Sequence, residues 1–324
     1  MSAAPFRVVV LMPVYRDWDC AALVCRDLDT RLRALEGVDA RIILVDDGSP
    51  DGLSGWPADS GGIATRIDAL RLFRNLGHQR AICAGVCHVY EHIPCDAVLV
   101  MDSDGEDQPA DAVRLIELAQ ADASRVIFAE RRKRQEGLVF RTGYGLFRAV
   151  HRMLTGIPVR VGNFSVAPLA VVRRLVFMPE LWNHFAGAIY KSKARFECVP
   201  MDRGKRLRGK SHMDLAALAA HGFAGIATFQ EIVATRILIA NVLATTLLFA
   251  VLCVLIALRL MYPRAVSNWA ALAAAMVLVV GIQLVAMSFT LVFTLISNRT
   301  NRGFIPQADY AVFVDRLERL AGGE

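Results

Sequence analysis

Hydrophobic and polar positions follow two different patterns along this chain. Up to about residue 130, short apolar runs alternate with segments in which apolar residues recur at helical spacing. Such alternation is typical of a parallel α/β sheet that is covered by helices on both faces. We expect strands at Val8–Met12, Arg41–Val45, Ala69–Phe73, Ala97–Met101 and Val126–Ala129, and helices at about 19–35, 78–92 and 109–121.

The second pattern is nearly pure hydrocarbon. Ile237–Leu258 carries no charged residue over 22 positions, and Trp269–Asn298 carries none over 30. An apolar helix of roughly 20 residues is long enough to span a bilayer. We therefore predict two transmembrane helices, at about 237–260 and 269–297, that are joined as a hairpin.

These patterns divide the chain into four predicted parts. The first strand follows directly after the first few residues, without an apolar leader, so we expect the large α/β domain to face the cytosol. The protein is then integral to the plasma (inner) membrane, and the hairpin returns its C-terminus to the cytosolic side. The predicted parts are an α/β domain at 1–210, amphipathic juxtamembrane helices at 211–235, the two spans within 236–298, and a cytosolic tail at 299–324 with a short helix over 306–321.

Charge and cysteine content narrow the function classes. The net charge is +6, and seven cysteines are scattered without the spacing of a disulfide framework. The basic residues cluster where the α/β part meets the apolar part. Lipid headgroups and substrate phosphates therefore explain the charge better than nucleic acid does.

The most informative motif is Asp102-Ser103-Asp104, which closes the apolar run Ala97–Met101. Two carboxylates this close repel each other unless a cation lies between them. Mg²⁺ or Mn²⁺ suits such a pair, because these ions take one or two carboxylates together with substrate phosphates. The alternative is a solvated loop at the end of a strand.

Polar clusters also follow the other predicted strands. Ligands of parallel α/β sheets bind beyond the carboxyl ends of the strands, so these clusters are expected to share one edge. Any one of them alone could be an ordinary turn. The clusters are Pro13-Val14-Tyr15, Asp46-Asp47-Gly48-Ser49 and Arg74-Asn75-Leu76-Gly77-His78.

A basic segment follows the fifth predicted strand. It begins at Arg131 and continues through Arg141 in a segment with helical spacing. Such a run is either a solvated face or a phosphate-binding surface, and arginine suits phosphate through its bidentate fork.

Taken together, these motifs resemble the family 2 glycosyltransferases with a GT-A (Rossmann-like) fold. The similarity is to their membrane-anchored group, which includes dolichol-phosphate mannose synthases and bacterial polyprenyl-phosphate glucosyltransferases. The matching segments beyond the first three clusters are Met101-Asp102-Ser103-Asp104-Gly105-Glu106-Asp107-Gln108-Pro109, Gly162-Asn163-Phe164 and Arg208-Gly209-Lys210-Ser211-His212.

The resemblance implies an enzyme that moves one sugar, with inversion, from a UDP- or GDP-sugar to a polyprenyl phosphate. It also suggests a homo-oligomer. Asp102 and Asp104 would hold the sugar and the Mg²⁺ or Mn²⁺ ion. Glu106 stands where the family usually has glutamine, which either adds a further metal ligand or changes a sugar contact. Arg131, Arg141 and Asn163 would receive the acceptor phosphate. The nucleotide-sugar would contact Pro13, Tyr15, Asp46, Asp47, Asn75, Gly77, Asp102, Ser103, Arg208 and Ser211. For Asp47, the alternative is a structural role in holding its loop.

Two other functions stay open from the sequence. A hydroxyl acceptor would need a general base, and His184 is the candidate, against a simpler interpretation as a helix residue packed beneath the acceptor side. A non-catalytic membrane adaptor on a transferase fold is the remote alternative. The intact carboxylates Asp46, Asp102 and Asp104 argue against it.

Overall fold

The structure is a computed structural model that describes residues 4–57, 62–131, 138–157, 161–202, 204–207, 222–262, 268–300 and 303–322. The chain forms two compact units. The first contains Met1–Arg148, Pro158–Thr228 and Phe304–Glu324, and the second contains Ala149–Ile157 and Phe229–Gly303.

The first unit is built on one mixed sheet. In the described ranges its strand order is β7-β5-β6-β4-β1-β2-β3-β8. The strands are β1 (Phe6–Val14), β2 (Val38–Asp46), β3 (Arg66–Leu72), β4 (Ala97–Val100), β5 (Val126–Arg131), β6 (Ser165–Pro168), β7 (Phe196–Met201) and β8 (Val314–Ala321). The helices up to residue 191 are α1 (Trp18–Leu32), α2 (His78–His92), α3 (Pro109–Ala121), α4 (Leu138–Thr155), α5 (Leu169–Leu175) and α6 (Phe185–Lys191).

Both faces of the sheet are buried, which explains why its central strands are continuous apolar runs. Alternate residues of β1 point to opposite sides: Val9 and Leu11 join the core beneath α2, while Val8 and Val10 join the core beneath α1 and α3. Strand β1 pairs in parallel with β2 on one side and with β4 on the other. The carboxyl ends of these strands therefore meet at one edge.

The prediction of an α/β sheet is confirmed, but the sheet is not wholly parallel. Strand β6 runs antiparallel to β4 and β5, and β8 runs antiparallel to β3. Three strands, β6 to β8, were not predicted. Strand β6 has only four residues, and β7 carries exposed side chains, so neither has the apolar pattern that marks β1 to β4.

The prediction of a helix over residues 306–321 is wrong. This segment contains a four-residue helix α9 (Pro306–Asp309), a short 3₁₀ turn, and then strand β8. Leu317 and Leu320 have a spacing that also fits a helix, but the open edge of β3 offers backbone hydrogen bonds that a strand can complete. The end of the described chain thus belongs to the same compact unit as the sheet.

The second unit contains two long apolar helices, α7 (Gln230–Met261) and α8 (Asn268–Thr300). Both are long and apolar enough to cross a membrane, and only 6% and 0% of their apolar windows are buried. Helices of a soluble core would be mostly buried, so this exposure favours the predicted spans. The side chain of Asn241 in α7 donates a hydrogen bond to Ser288 Oγ in α8 at 3.3 Å. Of the juxtamembrane helices predicted at 211–235, residues 211–221 lie outside the described part of the chain.

Candidate active site

The loops that follow β1, β2 and β4 contact one another at the carboxyl edge of the sheet. The backbone N–H of Asp47 donates to the carbonyl oxygen of Val14 at 2.9 Å. The hydroxyl of Ser103, which is buried, donates to the carbonyl oxygen of Pro13 at 2.8 Å. The clusters that the sequence placed at strand ends therefore form one continuous surface.

Asp46 is fully buried at the end of β2. Its Oδ1 accepts the backbone N–H of Ser49 at 2.9 Å, and its Oδ2 lies 3.2 Å from Nε of Arg71 in β3. Both oxygens thus have partners within the protein, and these contacts fix the start of the loop after β2.

Asp47 clamps the next loop along the edge. Its two oxygens accept the backbone N–H groups of Leu76 and Gly77 at 2.7 and 2.9 Å. Burial raises the pKa of Asp47 to about 6, and the two N–H donors oppose that shift. The carboxylate therefore holds residues 76–77 in place at the start of α2.

Gly48 allows this close approach. It has φ +68°, and a Cβ at this position would lie 2.4 Å from the carbonyl carbon of Arg74. No other residue fits without moving one of the two loops.

Tyr15 and Asn75 lie at the open side of these loops. Tyr15 is half-buried beneath the guanidinium of Arg16, which is 5.3 Å from the ring centroid, and Asn75 is exposed. Arg16 itself has φ 62°, a conformation that residues other than glycine adopt rarely, and its backbone N–H donates to Ser49 Oγ at 3.0 Å. The loop after β1 is therefore held in a specific shape beside the loop after β2.

The loop after β4 presents the two carboxylates that the sequence singled out. The backbone N–H of Asp102 donates to Asp107 Oδ2 at 2.9 Å, and the backbone N–H of Glu106 donates to Asp104 Oδ1 at 2.9 Å. The side chains of Asp102 and Asp104 remain 28% and 16% exposed. The backbone N–H of Glu106 therefore orients the Asp104 carboxylate, Asp107 fixes the backbone at Asp102, and both carboxylates remain partly exposed.

Arg206 pairs with one of these carboxylates from a distant part of the chain. Its guanidinium lies 3.2 Å from Asp104 Oδ2 and also contacts Asp17, the residue before α1. Residues 204–207 are held against the loop by two backbone bonds, Gly204 N–H to Glu106 O and Leu207 N–H to Asp104 O, at 2.9 and 3.0 Å. Arg206 and Asp17 were not predicted as site residues. No local pattern indicates the contact between Arg206 and Asp104, which are 102 positions apart in the sequence.

The donor set fits a divalent ion that is completed by substrate. Among the described residues, no three His, Cys, Asp or Glu side chains form a metal-binding group by themselves. Asp102 and Asp104 supply hard carboxylate oxygens on one short loop, and each oxygen that accepts a hydrogen bond keeps a second lone pair. Mg²⁺ and Mn²⁺ bind in such sites with diphosphate oxygens as the remaining ligands.

His78, the first residue of α2, also faces the loop after β4. Its Nε2 is 3.4 Å from Asp102 Oδ1 and 3.2 Å from Nδ2 of Asn163. His78 belongs to the predicted cluster Arg74–His78, but no role was predicted for it. The structure thus brings Asn163, predicted on the acceptor side, next to Asp102, predicted on the donor side.

His184 serves as the N-cap of α6. Its Nδ1 accepts the backbone N–H of Gly187 at 3.0 Å, and the ring lies beside Gly225. The neighbouring backbone N–H of Phe185 donates to Gln79 Oε1 at 2.8 Å. One ring nitrogen of the candidate base is therefore used in capping a helix.

Four predicted site residues lie outside the set of side chains that the structure describes. Arg131 ends β5 and Arg141 lies in α4, but their side chains are outside the described set. Arg208 and Ser211 lie in the undescribed segment 208–221.

Comparison with known proteins agrees with this geometry. Residues 9–177 match the family described as glycosyl transferase family 2. An undecaprenyl-phosphate 4-deoxy-4-formamido-L-arabinose transferase of Klebsiella pneumoniae is 27% identical over 192 residues, and the chain spans 56% of the length of that relative. The Sodalis glossinidius protein of the same name is 26% identical over 300 residues, covering 87% of this chain and 86% of that protein.

Solved structures of glycosyltransferases also match over much of the chain. Glucosyl-3-phosphoglycerate synthase from Mycobacterium tuberculosis, in complex with Mn²⁺, UDP-glucose and phosphoglyceric acid, has a TM-score of 0.46 and 16% identity over 70% of this chain and 80% of its own. The family match covers just over half of the chain, from β1 to the end of α5, and contains both acidic loops. The chain therefore belongs to glycosyl transferase family 2 and is a glycosyltransferase.

Proposed function

We propose that this glycosyltransferase is a metal-dependent, inverting enzyme that moves one sugar from a UDP- or GDP-sugar to the phosphate of a membrane polyprenyl phosphate. The observation that carries the proposal is the pair of part-exposed carboxylates, Asp102 and Asp104, at the carboxyl edge of the sheet. The relatives named undecaprenyl-phosphate transferases support the class of acceptor.

The donor binds across the loops after β1, β2 and β3. Asp46 and Asp47 are buried and hold these loops, so their oxygens shape the nucleotide pocket from below. Arg208 and Ser211 are assigned to the diphosphate of the donor. The residues assigned to the nucleotide-sugar are Pro13, Tyr15, Asn75, Gly77, Asp102, Ser103, Arg208 and Ser211, with Asp46 and Asp47 acting through the loops that they hold.

Asp104 is the principal metal ligand, with Asp102 beside it and the half-buried Glu106 as a third carboxylate on the same loop. When bound, Mg²⁺ or Mn²⁺ supplies positive charge that stabilises the departing diphosphate. The protein's own part is to orient the Asp104 carboxylate through the backbone N–H of Glu106, while the bond from the backbone N–H of Asp102 to Asp107 fixes the loop that carries both carboxylates.

The acceptor needs positioning more than deprotonation. A polyprenyl phosphate is already anionic, so its oxygen attacks the anomeric carbon without a strong general base. The bond from that carbon to the diphosphate breaks on the opposite face, and the nucleoside diphosphate leaves. Arg131, Arg141 and Asn163 receive the acceptor phosphate and offset the repulsion between the two phosphate groups.

The apolar helices anchor the enzyme where its lipid acceptor resides. Helices α7 and α8 cross the plasma membrane as a hairpin, and the sheet-containing unit faces the cytosol, where nucleotide-sugars are made. The exposed apolar surface of both helices supports this arrangement.

The proposal is tested in membranes that contain the full chain. These are incubated with Mn²⁺ or Mg²⁺ and a panel of labelled UDP- and GDP-sugars, after which the lipid fraction is extracted and treated with mild acid. We expect label from one donor to enter the lipid fraction and to be released by acid, as a sugar on a polyprenyl phosphate is.

Two results would contradict the proposal in different ways. Label that enters lipid and survives acid indicates a glycoside on a hydroxyl and returns attention to His184. No transfer from any donor, with a folded protein, overturns the assignment of a lipid acceptor.

A further inference from the structure

One imidazole nitrogen faces both halves of the proposed site. His78 Nε2 is 3.4 Å from Asp102 Oδ1 and 3.2 Å from Asn163 Nδ2. Asp102 follows β4 and Asn163 precedes β6, two strands that pair antiparallel with Val100 opposite Ser165. His78 therefore touches a residue on each of two neighbouring strands from a third element, α2.

Contacts of the residues on either side of His78 fix its position. The two residues before it, Leu76 and Gly77, donate their backbone N–H groups to Asp47, and Gly77 turns the chain with φ +92°. The residue after it, Gln79, is buried and accepts the backbone N–H of Phe185 at 2.8 Å. The imidazole is thus presented to Asp102 and Asn163 by a backbone that is held on both sides.

Nε2 cannot serve both neighbours in the same way. A neutral imidazole carries its one hydrogen on either ring nitrogen. With the hydrogen on Nε2 it donates to the Asp102 carboxylate, and with the hydrogen on Nδ1 it accepts an N–H of Asn163. The exchange between these two forms changes no net charge.

We propose that His78 is a positioning residue that couples donor binding at Asp102 to the orientation of Asn163 on the acceptor side. When the donor engages Asp102, Nε2 gives its hydrogen to solvent and Nδ1 takes one from solvent, which the 36% exposed side chain allows, so that Nε2 accepts one N–H of the Asn163 amide. The second N–H of the same group is then directed to an oxygen of the acceptor. This inference rests on the proposed function, in which Asp102 holds the donor sugar and Asn163 contacts the acceptor phosphate.

Two substitutions separate hydrogen bonding from packing. His78→Phe keeps a ring of similar volume and loses both nitrogens, whereas His78→Gln places an amide donor and acceptor near the position of Nε2. The matched control is His92→Phe, which changes a half-exposed histidine at the other end of α2.

The measurements are donor affinity, sugar transfer to the lipid acceptor, and hydrolysis of the donor by water. For His78→Phe we expect donor affinity within about threefold of wild type, transfer reduced by about tenfold or more, and a larger share of donor lost to water. His78→Gln recovers transfer to within about threefold, since its amide oxygen still accepts an N–H of Asn163. His92→Phe behaves as wild type.

A double-mutant cycle with Asn163→Ala tests the coupling itself. Because both changes remove the same link, the double variant should transfer no more slowly than the slower of the two single variants. Multiplied losses, or normal transfer by His78→Phe, would overturn the inference. If His78→Phe does not fold, Asn163→Ala must by itself slow transfer while leaving donor affinity unchanged.

Failure of the inference and failure of the proposed function give different results. If wild type glycosylates a hydroxyl instead of a phosphate, the assigned acceptor is wrong, and the cycle is repeated on that acceptor. If wild type transfers to polyprenyl phosphate and His78→Phe does so equally well, only the role of His78 is wrong.

Discussion

The molecule has two acidic loops at the same edge of its sheet, and they differ in what their carboxylates contact. Asp46 and Asp47, after β2, are 0% and 3% exposed and bind backbone N–H groups and Arg71. Asp102 and Asp104, after β4, are 28% and 16% exposed and face the side chains of His78 and Arg206.

This difference separates a scaffold from a ligand site. A carboxylate whose oxygens are occupied by its own fold gains stability from those contacts and has little capacity for a ligand. A carboxylate that is oriented by its loop but partly open can exchange a side-chain partner for a metal ion or a sugar. Similar sequence motifs at equivalent strand ends thus have different predicted consequences when they are changed.

The largest expected effect is a loss of activity when the loop after β4 is changed. Asp104→Asn should reduce sugar transfer by roughly 100-fold or more, because it removes the charge of the principal proposed metal ligand. Its thermal unfolding should stay close to wild type. Both are measured on the full chain in membranes or detergent, with Asp122→Asn as the matched control at an exposed ion pair. Normal transfer by Asp104→Asn would show that the metal site lies elsewhere.

The next largest effect is a loss of stability when a buried carboxylate at the end of β2 is changed. Asp46→Asn leaves Arg71, 20% exposed, without its partner carboxylate, and such losses cost roughly 3 kcal/mol. We expect the unfolding midpoint of the sheet-containing unit to fall by roughly 6–12 °C. Asp39→Asn, at an exposed position of the same strand, is the control. If Asp46→Asn instead unfolds like wild type and loses nucleotide affinity, then Asp46 acts on the nucleotide directly.

Much of the fold was predictable from the sequence because its central strands are buried on both faces. Strands β1 to β4 and helices α1 to α3 carry their own patterns, and the prediction of the GT-A α/β fold with two apolar C-terminal helices is confirmed. Strand β8 was missed since its charged sequence becomes a strand only through the edge of β3.

For the site, the sequence predicted which residues follow each strand, but it did not predict which side chains contact one another. The motifs placed Asp46 and Asp102 at the correct edge, because the end of a strand is a local feature of the sequence. Which carboxylate is buried depends on Arg71 and Arg206, which lie 25 and 102 residues from their partners Asp46 and Asp104. Periodicity and composition contain no information about such contacts.

A smaller effect concerns the pH dependence of stability. Burial raises the pKa of Asp47 from its ordinary value of 3.8 to about 6. The folded state therefore holds a proton that the unfolded state has lost between these two values, so the stability that Asp47 contributes falls as pH rises from about 4 to about 6. The total change is about 3 kcal/mol at most.

This pH dependence is isolated by comparison with Asp47→Asn, which cannot titrate. The difference in unfolding free energy between wild type and variant should decrease over that pH interval and be constant above it. A difference that is constant throughout would mean that the two N–H donors offset the burial penalty on the Asp47 carboxylate, and one that grows with pH would mean that they outweigh it.

The smallest expected effect tests how readily Asp104, in the loop after β4, binds a metal ion. Arg206 neutralises Asp104 and Asp17 together, so it competes with a metal ion for Asp104. Arg206→Met keeps the apolar stem and removes the charge, and it should raise the affinity for Mn²⁺ in the absence of nucleotide by about three- to tenfold, or ~1 kcal/mol. Arg206→Lys keeps the charge and should bind Mn²⁺ like wild type. Free Mn²⁺ is measured by electron paramagnetic resonance. Equal Mn²⁺ affinity in all three proteins would mean that the contacts of the fold occupy Asp104 as fully as they occupy Asp46, and the distinction between the two acidic loops would no longer hold.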